Sequence, residues 1–307
     1  MSTEYQGSEQ ADRHQAELNR LLRRLHTGNA IGTTILWLVA VLVMLIFIAI
    51  IVYLIVQGFS YLISPSFYNT SDAGVGREIF NTFYILILTE IFIIPIGLAA
   101  AIFLVEYATA ARFVTIIHFA AETLAGVPSI VLGLFGFLVF STTLQLGTSR
   151  LSGALTLLCL NFPLALRLFE DALTAVPREM REGGLALGAT KWHVIRTVII
   201  PSALPGIITG IILTAGKIIG EAAALLFTMG LNSPPNVFTL NPLIASDTLT
   251  TRAYFVIGPG GGSTSLTSAQ ETAIAAGSSA LLILLLLIIN IAARAIGRVI
   301  ERRVTAA

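Results

Sequence analysis

Long apolar runs alternate with short polar stretches along the chain, and the lengths of the runs set the first expectation. Runs 31–56 and 79–105 are each long enough to cross a bilayer as a helix. The first is too long for a signal-peptide core and lacks a small-residue cleavage site, so it reads as a retained span. The second is interrupted by Glu90, Pro95 and Gly97. Shorter runs at 126–140, 152–166, 204–228 and 272–293 complete a six-span pattern, with Pro163 expected to kink the fourth. Ahead of the third run, Arg112, Thr115, His118 and Glu122 recur at helical spacing, which predicts an amphipathic interfacial or pore-lining segment. Within that third run, Pro128 removes a backbone donor, Ser129 can compensate, and Gly126, Gly133 and Gly136 permit close helix approach.

Polar segments fill the gaps. Residues 1–30 form an Arg-bearing tail, with a short amphipathic helix expected over 16–25, and 296–307 form a second tail. Residues 230–270 are rich in Pro, Gly, Ser and Thr and read as a flexible surface loop. The most charged internal stretch is 167–201, where Arg167, Arg178, Arg181, Lys191 and Arg196 mingle with Glu170, Asp171, Glu179 and Glu182. Two short helices are predicted there. Pro177 suits a first turn, Gly188 a C-terminal cap and Thr190 an N-cap, and Trp192, Ile195 and Ile199 carry the second helix until Pro201 ends it.

Composition confirms the membrane reading. Of 307 residues, 55% are hydrophobic and only 11% charged, a balance that excludes an ordinary soluble domain. Net charge is +1 and gives no sign of a nucleic-acid partner. Where the charges fall is more informative. Of 18 Lys and Arg residues, the two tails with Arg294 at the edge of the second, Arg112 and the 167–201 stretch hold all but Arg77, Arg150, Arg252 and the intramembrane Lys217. The positive-inside rule then puts both termini and the 167–201 loop in the cytoplasm. The single cysteine, Cys159, can form neither an internal disulfide nor a cysteine cluster.

Chemistry-bearing motifs are few. Gly210 to Lys217 has the wrong spacing for a phosphate-binding loop, and Ile218 stands where a Mg-binding hydroxyl is needed. His14, His26, His118 and His193 show no metal-ligand spacing, so neither catalytic residues nor a metal or cofactor is expected, and any ATP used must be hydrolysed by another chain. The candidates are instead ionisable residues at membrane depth, which usually lie on a pathway or pair with one another. Lys217 and Glu221, four apart on one helical face, and Glu90 are the candidate substrate-pathway residues. A structural ion pair is the competing reading for Lys217 and Glu221, and a structural role for Glu90.

The spacing of Glu182-Gly-Gly, three residues, Gly188, nine residues and then Val198-x-Ile200-Pro201 resembles the cytoplasmic loop of ABC importer permeases. Gly183 and Gly184 stand where that family has two alanines, at a cost of roughly 1 kcal/mol each in a helix interior. Together with Ala125-to-Gly136 and Gly216-Lys-Ile-Ile-Gly-Glu221, it makes residues 76–295 similar to the A-type permease subunits of bacterial phosphate ABC importers. Arg is usual in that family where this chain has Lys217.

The resemblance implies an all-α polytopic protein with six transmembrane helices and a type I (MetI-like) ABC importer permease core over 76–295, preceded by the helix at 31–56. Glu182, Gly183, Gly184, Gly188 and Pro201 would form the coupling element that docks on an ATP-binding subunit. The implied function is phosphate import across a bacterial inner membrane with a homologous permease subunit, an ATP-binding subunit dimer and a periplasmic phosphate-binding protein. Membrane lipid is the remaining partner. Three other readings are open. A permease for sulfate or molybdate shares the class. A secondary transporter relaying protons through Glu90, Lys217 and Glu221 leaves the 182–201 loop unexplained, and a non-transporting sensor leaves the ionisable residues without a use.

Overall fold

The computed structural model describes residues 2–231, 238–257 and 266–305, and among these the regular structure is helical throughout. Contacts divide the chain into two units, Met1–Tyr53 and Leu54–Ala307. Helix α1 (Ser2–Leu62) supplies the described residues of the first. Its residues from Ile31 onward expose nearly every apolar side chain, as Leu36 (71%) and Phe47 (63%) illustrate, which suits lipid rather than a protein core.

The second unit is a bundle built around α5 (Arg150–Thr174). Helices α2 (Gly76–Ile102) and α8 (Ile200–Gly220) pack along it, and α11 (Ser268–Thr305) closes on α8. Small residues set these approaches. A Cβ added at Gly206 would lie 2.7 Å from the Cβ of Ala172, so the α5–α8 contact admits no larger residue there. Ile93, Leu157, Leu166, Phe169 and Leu173 are all but inaccessible in the resulting core.

Among the described residues five helices are long and apolar enough to cross a membrane: Gly28–Leu62, Gly76–Tyr107, Arg150–Thr174, Lys191–Gly220 and Ser268–Ala292. The third expected span is different. Helices α3 (Ala111–Ala125) and α4 (Ser129–Gly136, continued by a π-helical turn to Thr143) meet at 99°, so the pair supplies a sixth crossing only as a broken span. Pro128 is the cause, because its φ of −58° and ψ of 136° leave the helical region just before Ser129.

Four expectations about boundaries require correction. Helix α5 runs through Pro163 to Thr174, so residues 167–174 end a span rather than begin a loop. Phe169, Ala172 and Leu173 bury one face there while Arg167 and Asp171 stay exposed on the other, and that amphipathic turn carries the helix on. Pro201 ends nothing: it sits in the first turn of α8, where its missing amide is tolerated, directly after α7 (Lys191–Val194) and a π-helical turn, Ile195–Ile199. The predicted 204–228 helix breaks after Gly220 and resumes as α9 (Ala223–Thr228).

The fourth concerns 230–270. Residues 232–237 and 258–265, including Pro259 and its flanking glycines, lie outside the described residues. The remainder is not a loose surface loop, because Ser246, Asp247, Thr248, Leu249 and Thr251 are buried and α10 (Leu249–Ile257) packs on α11. Its polar residues are buried by being hydrogen-bonded. Asn81 Nδ2 donates to the Asp247 carbonyl at 2.9 Å, and the Leu249 amide donates to Thr82 Oγ1 at 3.0 Å.

Candidate functional site

Helices α3, α5 and α8 enclose a cavity of about 470 Å³. Lys217 lines it from α8 and Arg167 from α5, with His118 and Glu122 from α3 and Glu170 and Asp171 beside Arg167. Lys217 is exposed within this space, and Arg167 and Asp171 are too. His118 Nε2 lies 3.1 Å from both Glu170 carboxylate oxygens, so α3 is tied to α5 at the rim. Leu160, Pro163 and Leu164 form an apolar wall. Lys217 and Arg167 offer an anion local positive contacts in this partly apolar recess, while Glu122, Glu170 and Asp171 in the same lining outnumber them.

Of Lys217, Glu221 and Glu90, only Lys217 faces this cavity, together with His118 and Glu122 of the amphipathic segment expected to be interfacial or pore-lining. Glu221 is not one turn above Lys217. It caps the end of α8 with extended backbone (φ −80°, ψ 126°), and its Oε1 accepts from the Ala224 amide at 3.2 Å at the start of α9. Among the described residues no ion pair joins the two, because stacking at four-residue spacing needs an unbroken helix. Gly220 beside the cationic last turn was the signal for that end.

Glu90 lies elsewhere. It is buried on α2, where Thr214 Oγ1 donates to its Oε1 at 2.8 Å, and it borders an apolar groove with Ile87, Ile91, Pro95, Ile211 and Ala215. Arg167 was missed as a candidate because its stretch read as a solvated loop rather than as the last turns of a span.

The 178–201 element is compact. Helix α6 (Arg178–Ala186) ends in a Schellman motif: the Ala189 amide donates to the Gly184 carbonyl at 3.3 Å and the Gly188 amide to that of Leu185 at 3.0 Å. Gly188 takes φ +82°, as such a motif requires. Thr190 then caps α7, its Oγ1 accepting from the His193 amide. The two glycines differ. A Cβ at Gly184 would sit 2.8 Å from Val194 Cγ2, so α6 packs on α7 more closely than alanine allows, whereas nothing lies within 4 Å of Gly183. Glu182 is exposed, and so are Met180, Leu185, Leu187 (90%) and Trp192, an apolar face on an otherwise charged hairpin.

At the opposite end of α5 the buried side chain is Arg150, again missed because it read as an ordinary loop cation. Its Nη2 donates to Asn81 Oδ1 at 2.6 Å, its Nε to Ser246 Oγ at 2.9 Å and its Nη1 to the Thr239 carbonyl at 2.5 Å. The guanidinium carbon lies 4.5 Å from the Tyr84 ring centre. The amides of Ser149, Arg150 and Leu151 donate to the carbonyls of Thr228, Ile244 and Pro242. Nearby, Arg77 pairs with Asp72 at 2.6 Å and Arg252 Nη2 donates to the Asp72 carbonyl.

Comparison with known proteins matches residues 93–306 to the family described as binding-protein-dependent transport system inner membrane component. The probable ABC transporter permease protein YqgI of Bacillus subtilis is 39% identical over 214 residues, 68% of this chain and 73% of that one. The phosphate transport system permease proteins PstA 1 of Mycobacterium tuberculosis H37Rv and PstA of Mycobacterium leprae are each 36% identical. The matches cover 56% and 59% of this chain, and 56% and 61% of those relatives, less than two thirds of their length. Among solved structures, an inward-facing MetNI methionine ABC transporter chain superposes with TM-score 0.59 at 19% identity, covering 74% of this chain and 95% of that one. A chain of a bacterial alginate ABC transporter superposes with TM-score 0.60 at 14% identity, covering 86% and 95%. At such identities the likeness is one of fold.

Proposed function

Because the chain belongs to the family of binding-protein-dependent transport inner membrane components, and is thus a multi-pass transport subunit rather than an enzyme, we propose that it forms half of the path of an ATP-driven importer of inorganic phosphate. The other half is a homologous permease subunit. A dimer of ATP-binding subunits docks on the α6–α7 hairpin, and a periplasmic phosphate-binding protein delivers the anion at the Arg150 end. Both termini then lie in the cytoplasm, as the charge distribution predicts.

The observation that carries the substrate class is the pairing of Lys217 and Arg167 in one cavity between α5 and α8. A phosphate with one to two negative charges needs positive potential at membrane depth, and these two side chains supply it from facing helices. Glu122, Glu170 and Asp171 in the same cavity outnumber the two cations, so the attraction is confined to the immediate reach of Lys217 and Arg167 and the anion is not trapped. Glu221 acts at the α8–α9 joint, and Glu90 holds Thr214, three residues before Lys217, thereby setting how α8 presents its cation. The names of the mycobacterial relatives support phosphate as the anion.

The hairpin's part follows from its shape. Gly184 and Gly188 shape a tight turn that presents Glu182, Leu187 and Trp192, and an exposed apolar face on a charged element suits a protein partner. Gly183 leaves open space beside α6, and Pro201 starts the helix that carries movement to Lys217.

Uptake of labelled phosphate by vesicles holding the assembled complex, measured against labelled sulfate and molybdate, tests the substrate. ATP-dependent accumulation of phosphate alone is expected. Preferred accumulation of either other oxyanion would replace phosphate in this reading, and uptake without ATP would replace the class.

A further inference from the structure

Both halves of the α6–α7 hairpin hold Glu106, a residue of a span that is not adjacent to them in sequence. Helix α2 ends in a π-helical turn, Phe103–Tyr107, closed by the Ala108 amide donating to the Phe103 carbonyl at 2.9 Å. From α6, Arg181 Nε lies 3.4 Å from Glu106 Oε1, in a pair whose carboxylate side chain is 8% exposed. The same guanidinium donates through Nη2 to the Leu173 carbonyl at 2.5 Å, so Arg181 joins the ends of α2 and α5. From the start of α7, Lys191 Nζ donates to the Glu106 carbonyl and lies 5.0 Å from the centre of the Tyr107 ring. A small cavity of about 240 Å³ beneath these contacts is lined by Arg178 and Glu182 as well.

The other end of α2 holds different partners. Asn81 accepts from Arg150 and donates to the Asp247 carbonyl, and Thr82 accepts from the Leu249 amide. From Asn81 to Glu106 the chain is helical without a break, which at 1.5 Å per residue is roughly 37 Å. One continuous helix, with Pro95 inside it, therefore has the hairpin at one end and the buried residues Ser246 to Leu249 at the other.

We propose that Glu106 is a positioning residue for transport: through Arg181 and Lys191 it passes displacement of the hairpin to α2, and α2 passes it to the segment around Arg150 and Asp247. This rests on the reading that the hairpin docks on an ATP-binding subunit. An ion pair with a largely buried carboxylate suits the role, because separating it would leave a charge without its partner, so the two helices move together rather than slide. A solvated pair would give way.

The test is made on the assembled complex in proteoliposomes, with phosphate uptake and ATP hydrolysis measured side by side. Glu106→Gln and Arg181→Gln should each lower the phosphate moved per ATP hydrolysed by about tenfold, a typical size for coupling between sites. The double variant should be no worse than either single one, and the swap Glu106→Arg with Arg181→Glu should recover part of the ratio. If Glu106→Gln fails to assemble, Lys191→Met, altering an exposed side chain, should lower the same ratio. Singles that keep the parental ratio, or that lose uptake and hydrolysis in parallel, would overturn the proposal. An ATP-binding subunit that binds the parent chain elsewhere than the hairpin would overturn the docking reading instead.

Discussion

The hydroxyl of Thr214 donates to the buried carboxyl group of Glu90 at 2.8 Å, joining α8 to α2 one turn from Lys217. Among the described residues this is the only hydrogen bond to that carboxyl, and its second oxygen is buried without a partner. Thr214→Val should therefore destabilise the purified protein by about 1–3 kcal/mol, the cost of leaving a buried polar group unsatisfied. Adding Glu90→Leu should recover much of the loss. Glu90→Gln, which keeps an acceptor, should transport at near the parental rate. Thermal melts and uptake assays check all three, and loss of uptake in Glu90→Gln with unchanged melting would make Glu90 a pathway residue after all.

Lys217 and Arg167 should behave as a pair of charges. Lys217→Gln and Arg167→Gln are each expected to reduce uptake by about tenfold or more with the ATP-binding subunits still bound, whereas Lys217→Arg should retain most activity. Because Glu221 caps α9 rather than neutralising Lys217, Glu221→Gln should affect turnover less than Lys217→Gln does. Initial rates of phosphate uptake decide the order.

The glycines of the hairpin separate by geometry. Gly188→Val forces a β-branched residue into φ +82° and should abolish uptake while membrane insertion persists. Gly184→Ala drives a methyl group to 2.8 Å from Val194 and should impair uptake. Gly183→Ala meets nothing and should raise stability by up to about 1 kcal/mol. Uptake and melting of the three variants give the comparison.

Sidedness follows from two exposed leucines. In a Cys159→Ala background, Leu240→Cys should react with a membrane-impermeant thiol reagent added outside, and Leu187→Cys only after permeabilisation. The reverse pattern would invert the topology.

Much of this was legible in the sequence, and for definite reasons. Apolar run length found the spans, and cap chemistry at Gly188 and Thr190 found the hairpin, because both are local properties. What escaped was tertiary. Nothing near Arg150 in sequence announces that Asn81, Ser246 and the Thr239 carbonyl converge on it from 69, 96 and 89 residues away. A polar stretch such as 239–251 reads as solvated until its hydrogen-bond partners on another helix are known. The break at Glu221 was readable from Gly220, but the apolar run on either side outweighed it, and Lys217 and Glu221 were joined across a helix that ends between them.

The amides that open α5 are already taken by the carbonyls of Thr228, Ile244 and Pro242. A helix start of this kind ordinarily collects anions, since its free amide hydrogens and the dipole behind them favour negative charge. Here the chain has filled that place with its own backbone. At the Arg150 end, these backbone amides therefore offer an anion no free donor, and in the proposed path the cations that line a cavity are Lys217 and Arg167, the latter most of the way down α5.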